Sequence, residues 1–167
     1  IAPTSANYMF AYSKITDLTK YNIDLTNLTS GDRMFRNSEI RKIGTVKSTD
    51  MRTVFYACSA TTVEKVILPD VSAQTSTNAF LGTFDYHYRL ETIDFEGYFA
   101  QSVSVSNAFG LKAQSIVNFV EHLSDDVTGK TLTLSNSAVK DADWSNTNYA
   151  SWEALISTKP NWTFSLK

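Results

Sequence analysis

At 167 residues, 43% hydrophobic and 19% charged, the chain has the length of one domain and can bury roughly two-thirds of its unfolded surface. A net charge of −2 gives no overall field for nucleic acid or an acidic membrane, and no apolar run approaches the ~18 residues needed to cross a bilayer. The single cysteine, Cys58, excludes an intrachain disulfide and a cysteine-based zinc site.

In chain order, residues 1–7 read as a linker. Ile1-Ala2-Pro3-Thr4-Ser5-Ala6 lacks the basic start and apolar stretch of a signal peptide, and a chain opening on Ile1 is expected to be a processed product or a piece of something longer. From Tyr8 onward one device recurs: an aromatic anchor in a turn, followed by apolar residues three apart. Tyr8-Met9-Phe10 leads to Ile15 and Leu18, and Arg33-Met34-Phe35-Arg36-Asn37-Ser38 leads to Ile40 and Ile43. Val54-Phe55-Tyr56-Ala57-Cys58-Ser59 leads to Val63 and Val66, and Asn78-Ala79-Phe80 leads to Leu90 and Ile93. A fifth copy opens at Asn107-Ala108-Phe109-Gly110. The anchors Phe10, Phe35, Phe55, Phe80 and Phe109 are separated by 25, 20, 25 and 29 residues, in or near the range of stacked repeats. No unit of that size buries its own apolar face, so neighbours must stack.

These residues carry a resemblance. The anchor, the small residue or Asn, the Cys or Ser, and then the Leu/Val/Ile pair resemble the BspA-like leucine-rich repeats. Those occur in bacterial surface proteins and in similar modules of phage tails and baseplates. The likeness covers roughly residues 7–120, strongest in Phe55-Tyr56-Ala57-Cys58-Ser59 with Val63-Glu64-Lys65-Val66-Ile67-Leu68-Pro69. The segment Asn161-Trp162-Thr163-Phe164-Ser165-Leu166 is similar to the closing part of such modules. The resemblance implies a repeat solenoid, mainly β with turns, made of irregular leucine-rich repeats over 8–110 and an α/β C-terminal cap over 111–167. It implies a bacterial cell surface or virion tail setting and carries over no catalytic residue. The chain departs from the pattern in its irregular repeat lengths and in a long insertion expected between Phe80 and Leu90.

After Phe109 the period changes. Ile116, Val117, Phe119, Val120 and Leu123 make the stripe of an amphipathic helix, with Ser115 as its expected N-cap and Asp125, Asp126 and Gly129 closing it. Thr131–Leu134 alternates as a strand. Tyr149, Trp152, Leu155 and Ile156 form a second helical stripe stopped by Pro160, and Trp162–Leu166 reads as a last strand.

Chemical candidates are few. Cys58 falls where packing calls for a small buried residue, and His87 and His122 lack a metal-binding spacing. Asp94 and Glu96 alternate with Ile93 and Phe95 and so belong to an exposed strand face. There is no Gly-rich phosphate loop and no Gly-x-Ser-x-Gly, and the Asn27-Leu28-Thr29 and Asn161-Trp162-Thr163 sequons read as turn and strand residues. No enzyme activity, cofactor or metal is expected. The stretch exceeding structural need is Phe84-Asp85-Tyr86-His87-Tyr88-Arg89. Tyr86, His87, Tyr88 and Arg89 combine contact area with polar tips, as interfaces favour, and rings in such a loop also suit sugars. The function expected is non-enzymatic recognition or adhesion toward a protein or glycan ligand. The alternative is a structural virion or assembly component contacting other chains of a larger assembly. Trp144, Tyr149 and Trp152 are expected to pack as core.

Overall fold

The computed structural model describes residues 4–21 and 25–167. Its elements are β1 (Leu25–Leu28), β2 (Lys42–Ser48), β3 (Thr62–Ile67), β4 (Thr92–Glu96), β5 (Val103–Val105), α1 (Ala113–Glu121), β6 (Lys130–Leu134), α2 (Asn136–Lys140), α3 (Trp152–Ile156) and β7 (Trp162–Leu166), with short 3-10 turns between some of them. The strands form two separate parallel sheets, four-stranded in the order β1-β2-β3-β4 and three-stranded in the order β5-β6-β7. This overturns the expected mainly-β solenoid of leucine-rich repeats with an α/β cap. The molecule is a small α/β fold with two parallel sheets and three helices, and its strands do not run on as one ladder.

The break between the sheets has a local cause. Gly97 leaves β4 at φ +87 and turns the chain over Leu68. Phe99 then pairs with the segment after α1, its N–H donating to His122 O at 2.7 Å while its carbonyl accepts from Ser124 N at 2.9 Å. Helix α1 meanwhile takes the open edge of β4. The Ile93 N–H donates to Ser115 Oγ at 3.0 Å, and Asn118 Nδ2 donates to Ile93 O at 2.8 Å. A strand edge satisfied by side chains of a helix offers nothing for a fifth strand to pair with. Ser115 therefore serves the sheet from inside the helix. The N-cap position falls to Lys112, which makes no side-chain cap bond.

Within the first sheet, apolar residues face inward: Ile43 and Val46 on β2 and Val63 and Val66 on β3, each pair three apart, and Ile93 and Phe95, two apart, on β4, all buried. β2 and β3 pair in register, Ile43 beside Val63 and Val46 beside Val66, so like residues stack. The turns opposite the strands stack as well. Phe10, Phe35, Phe55 and Phe84 lie face to face, successive centroids 5.9, 5.6 and 5.6 Å apart and their planes nearly parallel. The column ends where Phe119 of α1 meets Phe84 edge-on at 5.5 Å.

The fourth stacked ring is Phe84. Phe80, the expected anchor, lies one turn earlier and packs edge-on against Phe99 at 4.9 Å. Phe109, the expected fifth anchor, is exposed. The extra length consequently lies before the turn, at residues 69–79, which Gln74 ties down. This buried amide donates to Pro69 O and Tyr98 O, both at 2.7 Å, and accepts from Ala100 N at 2.7 Å. Leu18, paired with Ile15 as a strand marker, opens a 3-10 turn. Of the expected linker, residues 1–3 lie outside the described residues, while Ser5 bridges Ser30 and Ala6 is buried. Ile116, Val117, Phe119, Val120 and Leu123 are buried along α1 as their spacing predicts. Trp144, Tyr149 and Trp152 pack against the core.

Candidate functional site

Each stacked Phe sits at the centre of a turn whose flanking residues take left-handed backbone. Two before and two after the ring stand Tyr8 and Tyr12, Arg33 and Asn37, Thr53 and Ala57, Gly82 and Tyr86, all with φ between +48 and +67. Only one of these eight is glycine, and the left-handed region costs other residues about 1–2 kcal/mol each. Backbone bonds between successive turns hold them there: Arg33 N to Thr53 O at 3.1 Å, Asn37 N to Ala57 O at 3.0 Å, and Ala57 N to Asp85 O at 2.8 Å. The side chains at these positions leave the core and line up outside it.

The result is a second, outer series of rings and guanidinium groups. Arg33 donates to Tyr8 Oη at 2.9 Å and lies over both the Tyr8 and Tyr56 rings, at 6.0 and 5.8 Å. Tyr56 is also covered by Arg36 at 5.7 Å and meets Tyr86 edge-on at 5.3 Å. Tyr86 meets Tyr88 at 6.0 Å, and Tyr88 stacks on Phe109 at 5.8 Å. Tyr8, Tyr86, Tyr88 and Phe109 are each about half exposed (45–52%), so the series is a surface feature.

Ala57 interrupts it. In the column Tyr12, Asn37, Ala57, Tyr86, the methyl side chain leaves a gap between Asn37 and Tyr86. A groove of about 330 Å3 opens there, with Asn37 and Ser59 facing Tyr86, Tyr88 and Arg89. Its floor is Ala57 and Cys58. Three of the four residues singled out in the sequence thus share one concavity. His87 does not: it is fully buried, stacked on Phe55 at 6.1 Å, its Nε2 2.9 Å from Ala60 O. Burial holds its imidazole down to about 4, so Nε2 carries the proton donated to that carbonyl and Nδ1 is left without a partner. Nothing in the sequence separates His87 from its exposed neighbours; only the one-residue alternation of the turn does.

The groove residues missed by sequence reasoning are Asn37 and Ser59. Both belong to other turns, and only the lateral stacking brings them to Tyr86. Positions Phe+2 (Asn37, Tyr86) and Phe+4 (Ser59, Tyr88), read as columns, were the available signal.

Other candidates have structural roles. Cys58 Sγ accepts from Ala60 N at 3.4 Å, and burial pushes its thiol up to about 12. His122 is half-buried with Nδ1 2.7 Å from Gly97 O. Asp94 and Glu96 point outward, Glu96 lying 3.8 Å from Lys65. Lys159 is buried and donates to Leu123 O at 2.7 Å and to Asp125 at 2.9 Å, tying the turn after α1 to β7. Among the described residues no three His, Cys, Asp or Glu side chains converge on a metal position, and no helix is long and apolar enough to cross a membrane. No protein-family model, curated protein or solved structure matches the chain.

Proposed function

We propose that this small α/β protein is a non-enzymatic recognition module that binds a protein or glycan through the Tyr86–Tyr88–Arg89 groove and the ring series beside it. The observation carrying this reading is the gathering of Tyr86, Tyr88, Arg89, Asn37 and Ser59 from three turns around one gap in an exposed aromatic surface. Tyr and Arg contribute most to binding when a rigid frame holds them, because little rotamer freedom remains to be lost. The hydrogen-bonded turns are such a frame. The motif resemblance implies the setting, a bacterial surface or a virion tail.

The non-enzymatic part of the reading rests on the one thiol and the nearest imidazole. A nucleophile–base pair needs mutual hydrogen bonding and an ionisable thiol. Cys58 is held as the neutral thiol, and His87 turns its proton to a backbone carbonyl and its other nitrogen to no partner. The test is the triple change Tyr86→Ala, Tyr88→Ala, Arg89→Ala, assayed for adhesion to intact bacterial cells and for melting temperature. Adhesion is expected to fall at least tenfold while the melting temperature moves little. Unchanged adhesion overturns the reading. Loss of self-association in place of adhesion would favour an assembly component.

A further inference from the structure

We propose that the ligand of this groove is an acidic carbohydrate, recognised through the carboxylate of a uronic or sialic acid residue; the proposal rests on the recognition reading above. The argument comes from where the arginines stand. The chain has five: Arg33, Arg36, Arg41, Arg52 and Arg89. Arg33 is paired with Asp32 at 3.3 Å and Arg52 with Asp50 at 2.6 Å. Among the described residues the other three have no carboxylate at ion-pair distance, and each bears on the groove or on a neighbour of its wall. Arg89 lines it. Arg41 Nη1 donates to Ser59 O, part of its wall, at 3.3 Å. Arg36 precedes Asn37 in the wall and lies over Tyr56, which in turn abuts Tyr86. Arg36 Nε is buried without a hydrogen-bond partner. Arg89, the guanidinium lining the gap, thus has no carboxylate partner at ion-pair distance among the described residues, in a chain whose net charge is negative.

The remaining lining decides between anions. Tyr86 and Tyr88 present half-exposed rings, onto which the C–H face of a pyranose can lie, with the Asn37 amide and the Ser59 hydroxyl opposite them for sugar hydroxyls. A guanidinium matches a carboxylate with two parallel hydrogen bonds. At about 330 Å3 the groove lies near the lower end of small-ligand sites. It suits one sugar residue of a longer chain. An extended peptide would need a free strand edge or a long channel, and the β4 edge beside these turns is already covered by α1. Nucleic acid would call for a continuous basic track, whereas the lining of this groove holds a single basic residue, Arg89.

The experiment is a calorimetric and amide-NMR titration of the intact chain with four probes. These are a hexuronate hexasaccharide, sialyllactose, the carboxyl-reduced form of the hexasaccharide, and an Asp/Glu hexapeptide of matched charge. One of the first two probes is expected to bind and to shift the amides of Asn37, Ala57 and Tyr86. Carboxyl reduction is expected to weaken that binding at least tenfold, as is Arg89→Gln, while Arg52→Gln at a paired arginine changes it less than twofold. Equal binding of the reduced hexasaccharide overturns the acidic assignment and leaves the recognition reading standing. Tighter binding of the hexapeptide overturns the carbohydrate assignment. If neither acidic sugar binds, the proposal is wrong. The recognition reading falls separately, when the triple groove variant adheres to cells like the parent.

Discussion

Two series of aromatic side chains run side by side across the same turns, and they obey different rules. The inner one, Phe10, Phe35, Phe55 and Phe84, uses a single residue type, stacks with nearly parallel planes and is almost wholly buried. The outer one, Tyr8, Arg33, Tyr56, Tyr86, Tyr88 and Phe109, mixes rings with guanidinium, meets mostly edge-on and stands half in water. Tyr8, Arg33 and Tyr86 each stand only two residues from an inner ring, Tyr56 one and Tyr88 four. The inner position demands uniformity because each ring is the packing surface of the next. At Tyr8, Arg33 and Tyr86 the outer position tolerates variety because the backbone, held at positive φ, has already placed the side chain. Recognition chemistry can therefore be written on the outer column without disturbing the inner one.

The largest effect expected from this contrast is at Phe55, which has a stacked ring on either side. Phe55→Ala is expected to cost about 3–5 kcal/mol in urea unfolding, and Phe35→Ala a similar amount. Phe109→Ala, at a ring expected from sequence to be equivalent, is predicted to cost no more than about 0.5 kcal/mol. Equal losses at Phe55 and Phe109 would mean that the two columns are not distinct.

His87 supplies the next effect, through pH. Its imidazole is held down to about 4 in the folded protein by burial, against an ordinary 6.5. Between those values the unfolded chain binds a proton that the folded chain does not, so stability falls as pH drops through the window and is level above it. The full loss is about 3 kcal/mol by pH 4. Carboxylates held below their ordinary range, Asp17 by the Thr19 hydroxyl and Glu39 by the Lys14 ammonium, add acid sensitivity at the lower end. The His87→Gln variant, whose amide can still donate to Ala60 O, separates the two contributions. It is expected to flatten the urea stability profile between pH 6.5 and 4.5. An unchanged profile would place the acid sensitivity elsewhere.

Where the inner column ends, one buried hydroxyl holds the edge of β4. Removing the Ser115 hydroxyl leaves the Ile93 N–H buried without an acceptor, and Ser115→Ala is expected to cost about 1–3 kcal/mol. The same change at exposed Ser137 serves as the control, measured by the same urea titration. A loss at Ser115 no greater than at Ser137 would mean that α1 merely lies against β4 rather than completing its edge.

This junction also marks how far the fold could be read from sequence. The α1 stripe, the strand at Thr131–Leu134 and the final strand at Trp162–Leu166 were legible because each has an unambiguous period. The inner column was legible at Phe10, Phe35 and Phe55 and then misplaced by four residues. Asn78-Ala79-Phe80 matches Asn107-Ala108-Phe109 in letters, but neither Phe joins the stack. Counting back from the strands gives the better register: Phe35 precedes Ile43 by 8 residues and Phe55 precedes Val63 by 8, while Phe84 precedes Ile93 by 9 and Phe80 by 13. The division into two sheets was not legible, because it depends on Ser115 and Asn118 reaching backbone more than twenty residues away. Of the groove, Tyr86, Tyr88 and Arg89 were visible as an unusual local composition. Asn37 and Ser59 were not, since their proximity arises from turn stacking alone.

Cys58 lies between the two columns, on the groove floor with its thiol turned inward. Cys58→Ala is expected to cost only about 1 kcal/mol, since a free cysteine packs as a small hydrophobe. With the thiol pushed up to about 12, alkylation of the folded protein at pH 8 is expected to track global unfolding and to accelerate in urea alongside it. Rapid alkylation without urea would mean that the groove floor opens.

The smallest effect belongs to the outer column and is read by a double-mutant cycle. Tyr88 and Phe109 stack at 5.8 Å with an interplanar angle of 21°, both about half exposed. The single changes Tyr88→Ala and Phe109→Ala are expected to alter stability by about 0.5 kcal/mol each. Their coupling is expected to be about 0.5 kcal/mol, the lower end for an aromatic pair, because water solvates the free faces in the folded and unfolded states alike. The inner pair Phe35 and Phe55, treated identically, is expected to couple more strongly, since truncating either ring leaves a cavity against the other. The comparison bears directly on function. An outer coupling above about 1.5 kcal/mol would show that these rings are retained for folding, and their alignment beside the groove would then be no argument for a ligand. A weak coupling with intact stability leaves the outer rings free to serve binding, which is the condition the recognition reading requires.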